Sequence, residues 1–544
     1  MNQANQTISP PDADCLSSGT IVTEISPGVA KVVSLVFVVA IFSVASSQFV
    51  YELWMKQRPV VFDLFSQFPT RQHLRHYEEQ LENASLHRKH CRLFLQQQLT
   101  QRLRFGNVHS IVGQDNWFYF MPGVSSVSGP GFLSRERQQL RIKHAADEGH
   151  GELFADPMAA IVQFHEQCAN AGIRLVLLPI PDKASLQPQF LSTRAFLKAP
   201  FAPPVNPDYA RLLQMLREKK IDVFSPLPEM ISPDAQLRFL EQDTHWTPEW
   251  MDQVAKDLAA HIRPHLPAVP SAPALKIEEK RVSRLGDLVD MLRLAEPTRV
   301  FQPQSVTIQR IVNAETGKAW EATREADVLL LGDSFSNIFS AEIMGWGDAA
   351  GFAEHLSLHL QRPVDAILRN DAGAHATRQI LSRELQSKPE RLAGKKIIVW
   401  QFAARELSVG NWMPLEMKIQ TTRSVTAQPE AGLPAGSTRV SGIVAEISEF
   451  PTPGTVTYKD HIFSLALKPV ESADAKLNGK PLMVYLWSMR NNVQTPAVRL
   501  RPGQSVRLSV RPWSQVEATH GRVNRSELDD PIEPPYWGEL EPQP

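Results

Sequence analysis

The stretch ADVLLLGDSFSNIF, residues 326–339, joins a short apolar run to a serine and to the start of a helix. Val328–Leu331 predict a strand buried on both faces, and the residues after Ser334 predict a helix. Active sites of open α/β sheets lie at the carboxyl ends of the strands. A serine at such a turn is expected to be exposed, beside the unpaired N–H groups of the helix start. Ser334 is therefore a candidate nucleophile, and the alternative is that it only caps the helix.

A second polar pair lies earlier in the chain, in the stretch DTHW (residues 243–246). Asp243 and His245 are two positions apart, so they lie on the same side of an extended segment. A serine hydroxyl is a poor nucleophile until a base takes its proton, and a carboxylate beside that base fixes its tautomer. His245 and Asp243 are candidates for these roles. The alternative is a partly buried histidine, stacked on tryptophan just before a helix that starts at Pro248.

Apolar runs alternate with helical patterns through the middle of the chain, which predicts a mostly parallel α/β sheet. Besides 328–331, the predicted strands are Ile173–Pro181, a short strand after a helix within Asp208–Met230, and one strand each within Pro363–Gly373 and Lys395–Leu407. Val108–Met121 predicts a hairpin that turns at Gly113–Asn116. After a Pro- and Gly-rich stretch, alternating segments from Thr438 onward predict a small all-β domain, either a sandwich or a barrel.

One segment near the N-terminus, Lys31–Val50, is apolar enough to predict a membrane helix. It is either an uncleaved signal anchor or a secretory signal cut after Ala45, and the long polar leader favours the anchor. Positive charge follows the segment, at Lys56, Arg58 and Arg71, more than it precedes it. By the positive-inside bias alone, the bulk of the chain would be cytoplasmic.

Composition excludes some classes of function. The 544 residues carry a formal net charge of −1, so nothing global indicates a nucleic-acid partner. The three cysteines, Cys15, Cys91 and Cys168, match no zinc pattern, and we expect neither a metal nor a cofactor. Cys91 and Cys168 either pair in an oxidising compartment or remain two small buried residues.

These patterns predict six segments. They are a polar tail (1–30), a signal anchor (31–50), a helical stalk (51–106), an α/β domain (107–422), a linker (423–438) and a β-rich domain (439–544).

Five blocks of the chain resemble the SGNH-like O-acetyltransferases of bacterial exopolysaccharide systems, the family typified by the alginate O-acetylation proteins AlgJ and AlgX. The resemblance covers roughly residues 107–420. The matching blocks are VGQDNWFYF (112–120), LLPIPDKASLQP (177–188), DTHWTP (243–248), LLLGDSFS (329–336) and VWQFAAREL (399–407). Two departures are Gln401–Ala404, where acidic residues are expected before Arg405, and Leu186-Gln187, where an aromatic residue is common.

The resemblance implies an SGNH-hydrolase-like fold with a Ser–His–Asp triad, here Ser334, His245 and Asp243. It implies that Asn370 or Gly373 completes an oxyanion hole. Further candidates for substrate contact are Arg405, Trp246 and Lys183. Arg405 has a structural salt bridge as its alternative role, and Lys183 is alternatively an ordinary exposed lysine.

The function that follows is acetyl transfer through a serine acyl-enzyme onto hydroxyls of an exopolysaccharide. The resemblance implies a membrane-bound O-acyltransferase as donor partner, a polysaccharide acceptor, and a single-pass inner-membrane protein with a periplasmic catalytic domain. That location opposes the charge pattern noted above. Two alternatives remain: a polysaccharide acetylesterase with the same triad, and a non-catalytic glycan-binding or scaffold subunit.

Overall fold

The structure is a computed structural model of the chain, and it consists of two compact units, Met1–Leu95 and Gln96–Pro544. It describes residues 26–540 except 57, 66–67, 69, 71–73, 75–76, 79–80, 82–84, 86–92, 149–151, 194–198, 233–235, 269–273, 371–372, 418, 420–436, 454–455, 457, 473, 522 and 529–530. Much of the predicted helical stalk, the whole predicted linker except its last two residues, Cys15 and Cys91 lie outside the described residues. Cys168 is a buried free thiol.

The α-helices connect most of the strands and are numbered here in chain order. They are α1 Pro27–Trp54, α2 Leu93–Leu103, α3 Met121–Ser128, α4 Arg135–Glu148, α5 Pro157–Asn170, α6 Lys183–Leu186, α7 Tyr209–Glu218, α8 Pro248–Ile262, α9 Asp287–Met291, α10 Ser334–Asn337, α11 Phe352–Leu360, α12 Ala376–Ser387, α13 Glu406–Val409 and α14 Glu517–His520.

In the described part of the chain, four sheets are formed by sixteen strands. They are β1 Ser110–Val112, β2 Phe118–Phe120, β3 Arg174–Ile180, β4 Asp222–Val223, β5 Leu275–Arg284, β6 Gln304–Asn313, β7 Val328–Gly332, β8 Asp365–Leu368, β9 Ile397–Ala403, β10 Thr438–Ile447, β11 His461–Ser472, β12 Leu482–Arg490, β13 Val493–Gln494, β14 Ser505–Pro512, β15 Asn524–Arg525 and β16 Tyr536–Leu540.

The first unit contains α1, which is longer than the predicted segment 31–50. Pro27 stands in its first turn, and the Ser26 side chain accepts a hydrogen bond from the Val29 N–H, so the helix begins at a good N-cap. The helix is long and apolar enough to cross a membrane, and a signal sequence has the same properties. It therefore supports a membrane-directed segment without separating an anchor from a cleaved signal.

The central sheet of the second unit confirms the predicted parallel α/β arrangement. Its five strands run in the order β4-β3-β9-β7-β8, and every pairing is parallel. β7 and β9 are buried along their whole length because helices and loops cover both faces. The carboxyl ends of β3, β7, β8 and β9 consequently meet at one edge of the sheet, followed by Asp182, Asp333, Arg369 and Ala404.

Two hairpins of the α/β part differ in how well the sequence indicates them. β1 and β2 pair around the predicted turn, where Asp115 and Asn116 adopt positive φ angles. β5 and β6 form a ten-residue antiparallel hairpin that the sequence analysis did not predict. β5 is mostly exposed and charged on both faces, so it lacks the alternation that marks a half-buried strand.

The predicted C-terminal β-rich domain is a barrel rather than a sandwich. β10, β11, β12, β16 and β14 form a closed ring, since β10 pairs with both β11 and β14 and β12 pairs with both β11 and β16. Two register shifts bend β10 between its partners. The pairing of β12 with β16 is parallel, because a closed ring of five strands with four antiparallel pairings must have a parallel fifth pairing.

Candidate active site

The turn after β7 is fixed by the side chain of Asp333, which caps the short helix α10. Its Oδ1 accepts a hydrogen bond from the Phe335 N–H at 2.9 Å, and its Oδ2 accepts one from the Ala403 N–H at 2.8 Å. One carboxylate therefore ties the start of α10 to the end of β9. Ser334 is the residue that follows this anchored position.

The side chain of Gln401 on β9 also holds this turn, through hydrogen bonds to Asp333 and Ser336. Its Nε2 donates to Asp333 Oδ1 at 2.7 Å, and its Oε1 accepts from the Asp333 N–H at 3.0 Å and from Ser336 Oγ at 2.6 Å. An ionised acid in this place could accept but could not donate to Asp333. The sequence analysis noted the departure at Gln401 but missed this role, because a glutamine inside an apolar strand carries no chemical signature.

Ser334 is only 3 % exposed, which contradicts the expectation that this turn exposes its serine. The Phe335 ring is fully buried, and its centroid lies 4.9 Å from the centroid of the His245 ring. The Phe335 carbonyl also accepts a hydrogen bond from Trp246 Nε1 at 2.9 Å. The two predicted motifs therefore pack directly against each other, in a covered rather than an open position.

The Asp243–His245 pair has the geometry of a base with its orienting acid. Asp243 Oδ1 accepts from His245 Nδ1 at 2.6 Å, and Asp243 Oδ2 accepts from Trp346 Nε1 at 2.9 Å and from the Asp287 N–H at 3.1 Å. Burial raises the pKa of Asp243, but the hydrogen bonds and charges around it outweigh burial and hold the pKa below its usual range. With Asp243 ionised, Nδ1 carries the proton and Nε2 presents its lone pair. Among the described residues, Nε2 has no hydrogen-bond partner.

A second carboxylate, Asp287 at the start of α9, lies near the same Nδ1 of the imidazole as Asp243. Its Oδ1 accepts from the Thr244 N–H at 2.8 Å, and its Oδ2 lies 3.8 Å from His245 Nδ1. Within the described part of the chain, Oδ2 has no hydrogen-bond partner. Burial, followed by the negative charge of Asp243, raises the pKa of Asp287 to about 7. Sequence reasoning missed this residue because an aspartate in the first turn of a helix looks like an ordinary helix start.

Lys183 is buried, which is contrary to the alternative of an exposed lysine. Its Nζ donates to the carbonyl oxygens of Leu240 at 2.6 Å, Glu241 at 2.8 Å and Asp243 at 3.1 Å. The ammonium also lies 4.9 Å from the centre of the Trp117 ring. Burial lowers the pKa of Lys183 to about 7, against the opposing charges of nearby carboxylates. Lys183 holds the segment that carries Asp243 and His245.

Arg405 faces a small cleft beside these two motifs. Its guanidinium lies over the rings of Phe120 and Phe335, with 5.2 Å and 5.8 Å to the ring centres. Its Nη1 is 4.0 Å from Asp182 Oδ1, and burial raises the pKa of Asp182 to about 7 while Arg405 acts in the opposite direction. The cleft is lined by Tyr119, Phe120, Gly123, Val124, Asp182, Lys183, Ala184, Thr244, Phe335 and Arg405.

The remaining three candidates are Asn370, Gly373 and Trp246, and only the first two lie near the serine turn. Asn370 and Gly373 are close to the serine turn: Asn370 Oδ1 accepts from Asn337 Nδ2 at 2.7 Å, and a Cβ on Gly373 would lie 3.0 Å from Asp333 Oδ2. Trp246 is fully buried among Phe335 and other aromatic rings. The structure thus brings the first two to the site and places Trp246 in the core beneath it.

Comparison with known proteins places this architecture in a family. A family model described as "SGNH hydrolase-like domain, acetyltransferase AlgX" matches residues 111–404, more than half of the chain. The "Probable alginate O-acetylase AlgJ" of Pseudomonas fluorescens is 25 % identical over 318 residues, which are 55 % of this chain and 69 % of that protein. The protein of the same description from Pseudomonas aeruginosa is 26 % identical over 273 residues, 48 % of this chain and 66 % of that protein.

Two solved structures also resemble parts of the chain. The O-acetyltransferase domain of Pseudomonas putida AlgJ has a TM-score of 0.39 at 19 % identity, covering 56 % of this chain and 93 % of that one. Pseudomonas aeruginosa AlgX has a TM-score of 0.34 at 16 % identity, covering 71 % and 84 %. The match of the family model over 111–404 spans β1 to β9 and both motifs. The chain therefore belongs to the SGNH hydrolase-like family of the acetyltransferase AlgX.

Proposed function

We propose that this protein is an O-acetyltransferase that moves an acetyl group through Ser334 onto the hydroxyls of a polysaccharide. The observation that carries the proposal is the arrangement of His245. Its Nδ1 is bonded to the buried carboxylate of Asp243, and its Nε2 is left without a partner among the described residues, beside the turn that carries Ser334. This is the state in which an imidazole accepts a proton from a serine hydroxyl.

The proposed reaction has two steps, and each passes through a tetrahedral intermediate at the acetyl carbon. In the first, Ser334 Oγ attacks the acetyl carbonyl while His245 Nε2 takes the hydroxyl proton, and the donor alkoxide leaves with that proton. In the second, a sugar hydroxyl gives its proton to His245 and attacks the acetyl-serine ester, which releases Ser334 as a free hydroxyl. Asp243 stabilises the imidazolium that forms in each step.

The oxyanion of each step needs donors at the serine turn. At the start of α10, the N–H groups of Phe335 and Ser336 are bonded to Asp333, so the Ser334 N–H is the backbone candidate for this role. Asn370 is a further candidate: because Asn337 occupies its Oδ1, its Nδ2 is the group that can donate. Gly373 fits a different role, since its lack of a side chain leaves room for the carboxylate of Asp333. Arg405, on the cleft wall, is the candidate contact for the acceptor.

The substrate class follows from the relatives. AlgJ proteins are named as probable alginate O-acetylases, which supports a polysaccharide acceptor for this chain. We further propose that a membrane-bound O-acyltransferase supplies the acetyl group, and that α1 keeps the enzyme at the inner membrane with its catalytic part in the periplasm. Protease added to intact spheroplasts should then degrade the catalytic part, and full protection would place it in the cytoplasm, as the flanking charges predict.

The test of the nucleophile is the intact mass of the full chain in detergent after mixing with p-nitrophenyl acetate. We expect one acetyl adduct on the parent protein and none on Ser334→Ala. Ser336→Ala is the matched control, since it removes the neighbouring hydroxyl of the same turn and should keep the adduct. An adduct that persists in Ser334→Ala, or a folded parent that forms none, would remove Ser334 from the proposal.

The second step is tested by adding a deacetylated acidic polysaccharide to the acetylated protein. Ester that appears on the polymer supports acetyl transfer. Free acetate alone would make the protein an esterase. Binding of the polymer by a protein that forms no acyl-enzyme would favour the non-catalytic alternative.

A further inference from the structure

We propose that Asp252, His355 and His359 form a binding site for a divalent transition metal, with Zn²⁺ as the ion that fits best. The cluster lies outside the candidate active site, between helices α8 and α11. One ligand atom of each residue lies within 4.8 Å of the others. Asp252 Oδ1 is 2.6 Å from His355 Nδ1 and 2.5 Å from His359 Nε2.

The backbone presents these three side chains to a common point. His355 and His359 are four residues apart on α11, so both imidazoles project from the same face of that helix. Asp252 lies on α8 and faces them across the helix–helix contact. Two histidines and one carboxylate form a common zinc ligand set, with a water in the fourth position.

The tautomer of His355 argues for a cation at this point. Its Nε2 lies 3.0 Å from the carbonyl oxygen of Gln309, and since a carbonyl only accepts, Nε2 must carry a proton. In neutral His355 the other nitrogen, Nδ1, is then a bare lone pair that faces an ionised oxygen of Asp252. That contact is repulsive unless a cation lies between the two atoms or His355 is itself charged. A second nitrogen held by a backbone carbonyl is also the usual support of a metal-binding histidine.

The cluster is partly open to solvent. The side chains of Asp252 and His359 are 31 % and 22 % exposed, whereas the side chain of His355 is only 2 % exposed. An ion can therefore reach the cluster from solvent, and its open position faces water.

The distances fit zinc after a small adjustment. An ion held at about 2.0–2.1 Å from each ligand atom in tetrahedral geometry needs each imidazole nitrogen to lie roughly 0.8 Å further from Asp252 Oδ1 than it does. Rotation of the two partly exposed side chains supplies this separation, while the buried His355 keeps its bond to Gln309.

A metal here would brace the segment that carries the candidate base. α8 begins at Pro248, three residues after His245, and Phe352 at the start of α11 packs on Trp246 with 5.3 Å between ring centroids. The ion contacts none of the proposed reacting atoms. Its expected contribution is to the stability of this helix pair rather than to the acetyl-transfer steps.

The experiment compares the tag-free full chain in detergent with His359→Ala, and uses His261→Ala as the matched control. His261 also pairs with an aspartate, Asp222 at 3.0 Å, and neither residue belongs to the cluster. The readouts are zinc content by elemental analysis after dialysis, the absorption spectrum with Co²⁺, and the melting temperature with and without Zn²⁺. His359 is partly exposed, so its removal should leave the fold intact.

We expect the parent and His261→Ala to retain one more zinc equivalent than His359→Ala, and to show a Co²⁺ spectrum and a zinc-dependent rise in melting temperature that His359→Ala lacks. Equal zinc content and equal zinc response in the parent and in His359→Ala would overturn the site. The cluster would then be an ion pair between Asp252 and a protonated His355.

Discussion

The two carboxylates beside His245 contact different partners, so the same substitution should affect them differently. Asp243→Asn introduces an N–H group among donors from His245, Trp346 and the Asp287 backbone, and it no longer stabilises an imidazolium. We expect acetylation of Ser334 to slow by about 10³–10⁴-fold. Asp287→Asn resembles the protonated acid that the raised pKa of this group favours, and we expect less than about a tenfold loss.

The measurement is the rate of acyl-enzyme formation by rapid quench and intact mass, with both variants compared at neutral pH. If Asp287→Asn were as slow as Asp243→Asn, Asp287 would have to be ionised in the working enzyme. This comparison rests on the proposed function. A parent protein that is not acetylated at all would contradict that function and would say nothing about Asp287.

Asp287 also predicts a pH dependence of stability. Its pKa is raised from 3.8 to about 7 in the folded chain, so between these values the folded state holds a proton that the unfolded state has released. The free energy of unfolding therefore falls as the pH rises through this window. Relative to the parent, Asp287→Asn should gain about 4 kcal/mol of stability between pH 4 and pH 8.

Denaturant titrations of parent and variant at both pH values measure this difference. Asp222→Asn is the control, since Asp222 lies at the sheet edge with Arg174 and His261 and is not part of this buried pair. A stability difference that does not change with pH would mean that folding does not raise the pKa of Asp287.

Individual site residues can be predicted from the sequence where they fall within a short motif. Ser334, His245 and Asp243 are recognisable because serine, imidazole and carboxylate fall at a strand end and at a two-residue spacing. Asp287 reaches the same site from 42 positions beyond His245 through the unpredicted connection after β5. Only the three-dimensional structure brings it there.

Strand β9 acts on the serine turn through one side chain, which gives a prediction at the scale of elements. Gln401→Ala leaves Ser336 Oγ and the Asp333 N–H without their acceptor. We expect a loss of about 2–3 kcal/mol in the free energy of unfolding, because buried polar groups lose their partners. Acetylation of Ser334 should slow at least about tenfold, since the turn is less well positioned.

Gln401→Glu separates hydrogen bonding from size. The carboxylate keeps the shape but cannot donate to Asp333, and it places two negative charges within hydrogen-bond distance. We expect this variant to approach parent acetylation only at low pH, where one of the two acids is protonated. Full activity of Gln401→Ala in the same assay would contradict the anchoring role of Gln401.

Elements were predictable where burial imposes a pattern on the sequence. β3, β7 and β9 are short apolar runs because both faces of the sheet are covered. The β5–β6 hairpin escaped prediction because its first strand is largely solvated, so charged residues occur at successive positions. The closure of the barrel was equally out of reach, since alternation identifies strands but not which of them pair.

The barrel and the α/β part belong to one compact unit, and barrel segments contact segments that carry candidate site residues. Arg369, which precedes Asn370, donates to the carbonyl of Arg525 on β15. Lys459, between β10 and β11, pairs with Asp290 on α9 at 2.8 Å. Glu527 pairs with Arg383 on α12 and, at 2.7 Å, with Arg525. The barrel therefore supports both α9 and the loop after β8.

Removing the central acid of this contact should loosen both parts together. Glu527→Ala leaves the mostly buried guanidinium groups of Arg383 and Arg525 without their carboxylate, and we expect a loss of about 2–4 kcal/mol in stability. Glu539→Ala is the matched control on the same barrel. Its partner Arg511 is 3.6 Å away and both are largely exposed, so the loss there should stay below about 1 kcal/mol.

Calorimetry of the full chain in detergent distinguishes two behaviours of Glu527→Ala. If the barrel supports the site, the variant melts at a lower temperature in one transition, or its barrel transition separates from that of the α/β part, and acetylation of Ser334 slows with it. If melting changes while the acetylation rate equals that of the parent, the contact serves only the stability of the barrel. The positions of α9 and of the loop that carries Asn370 must then be set within the α/β part alone.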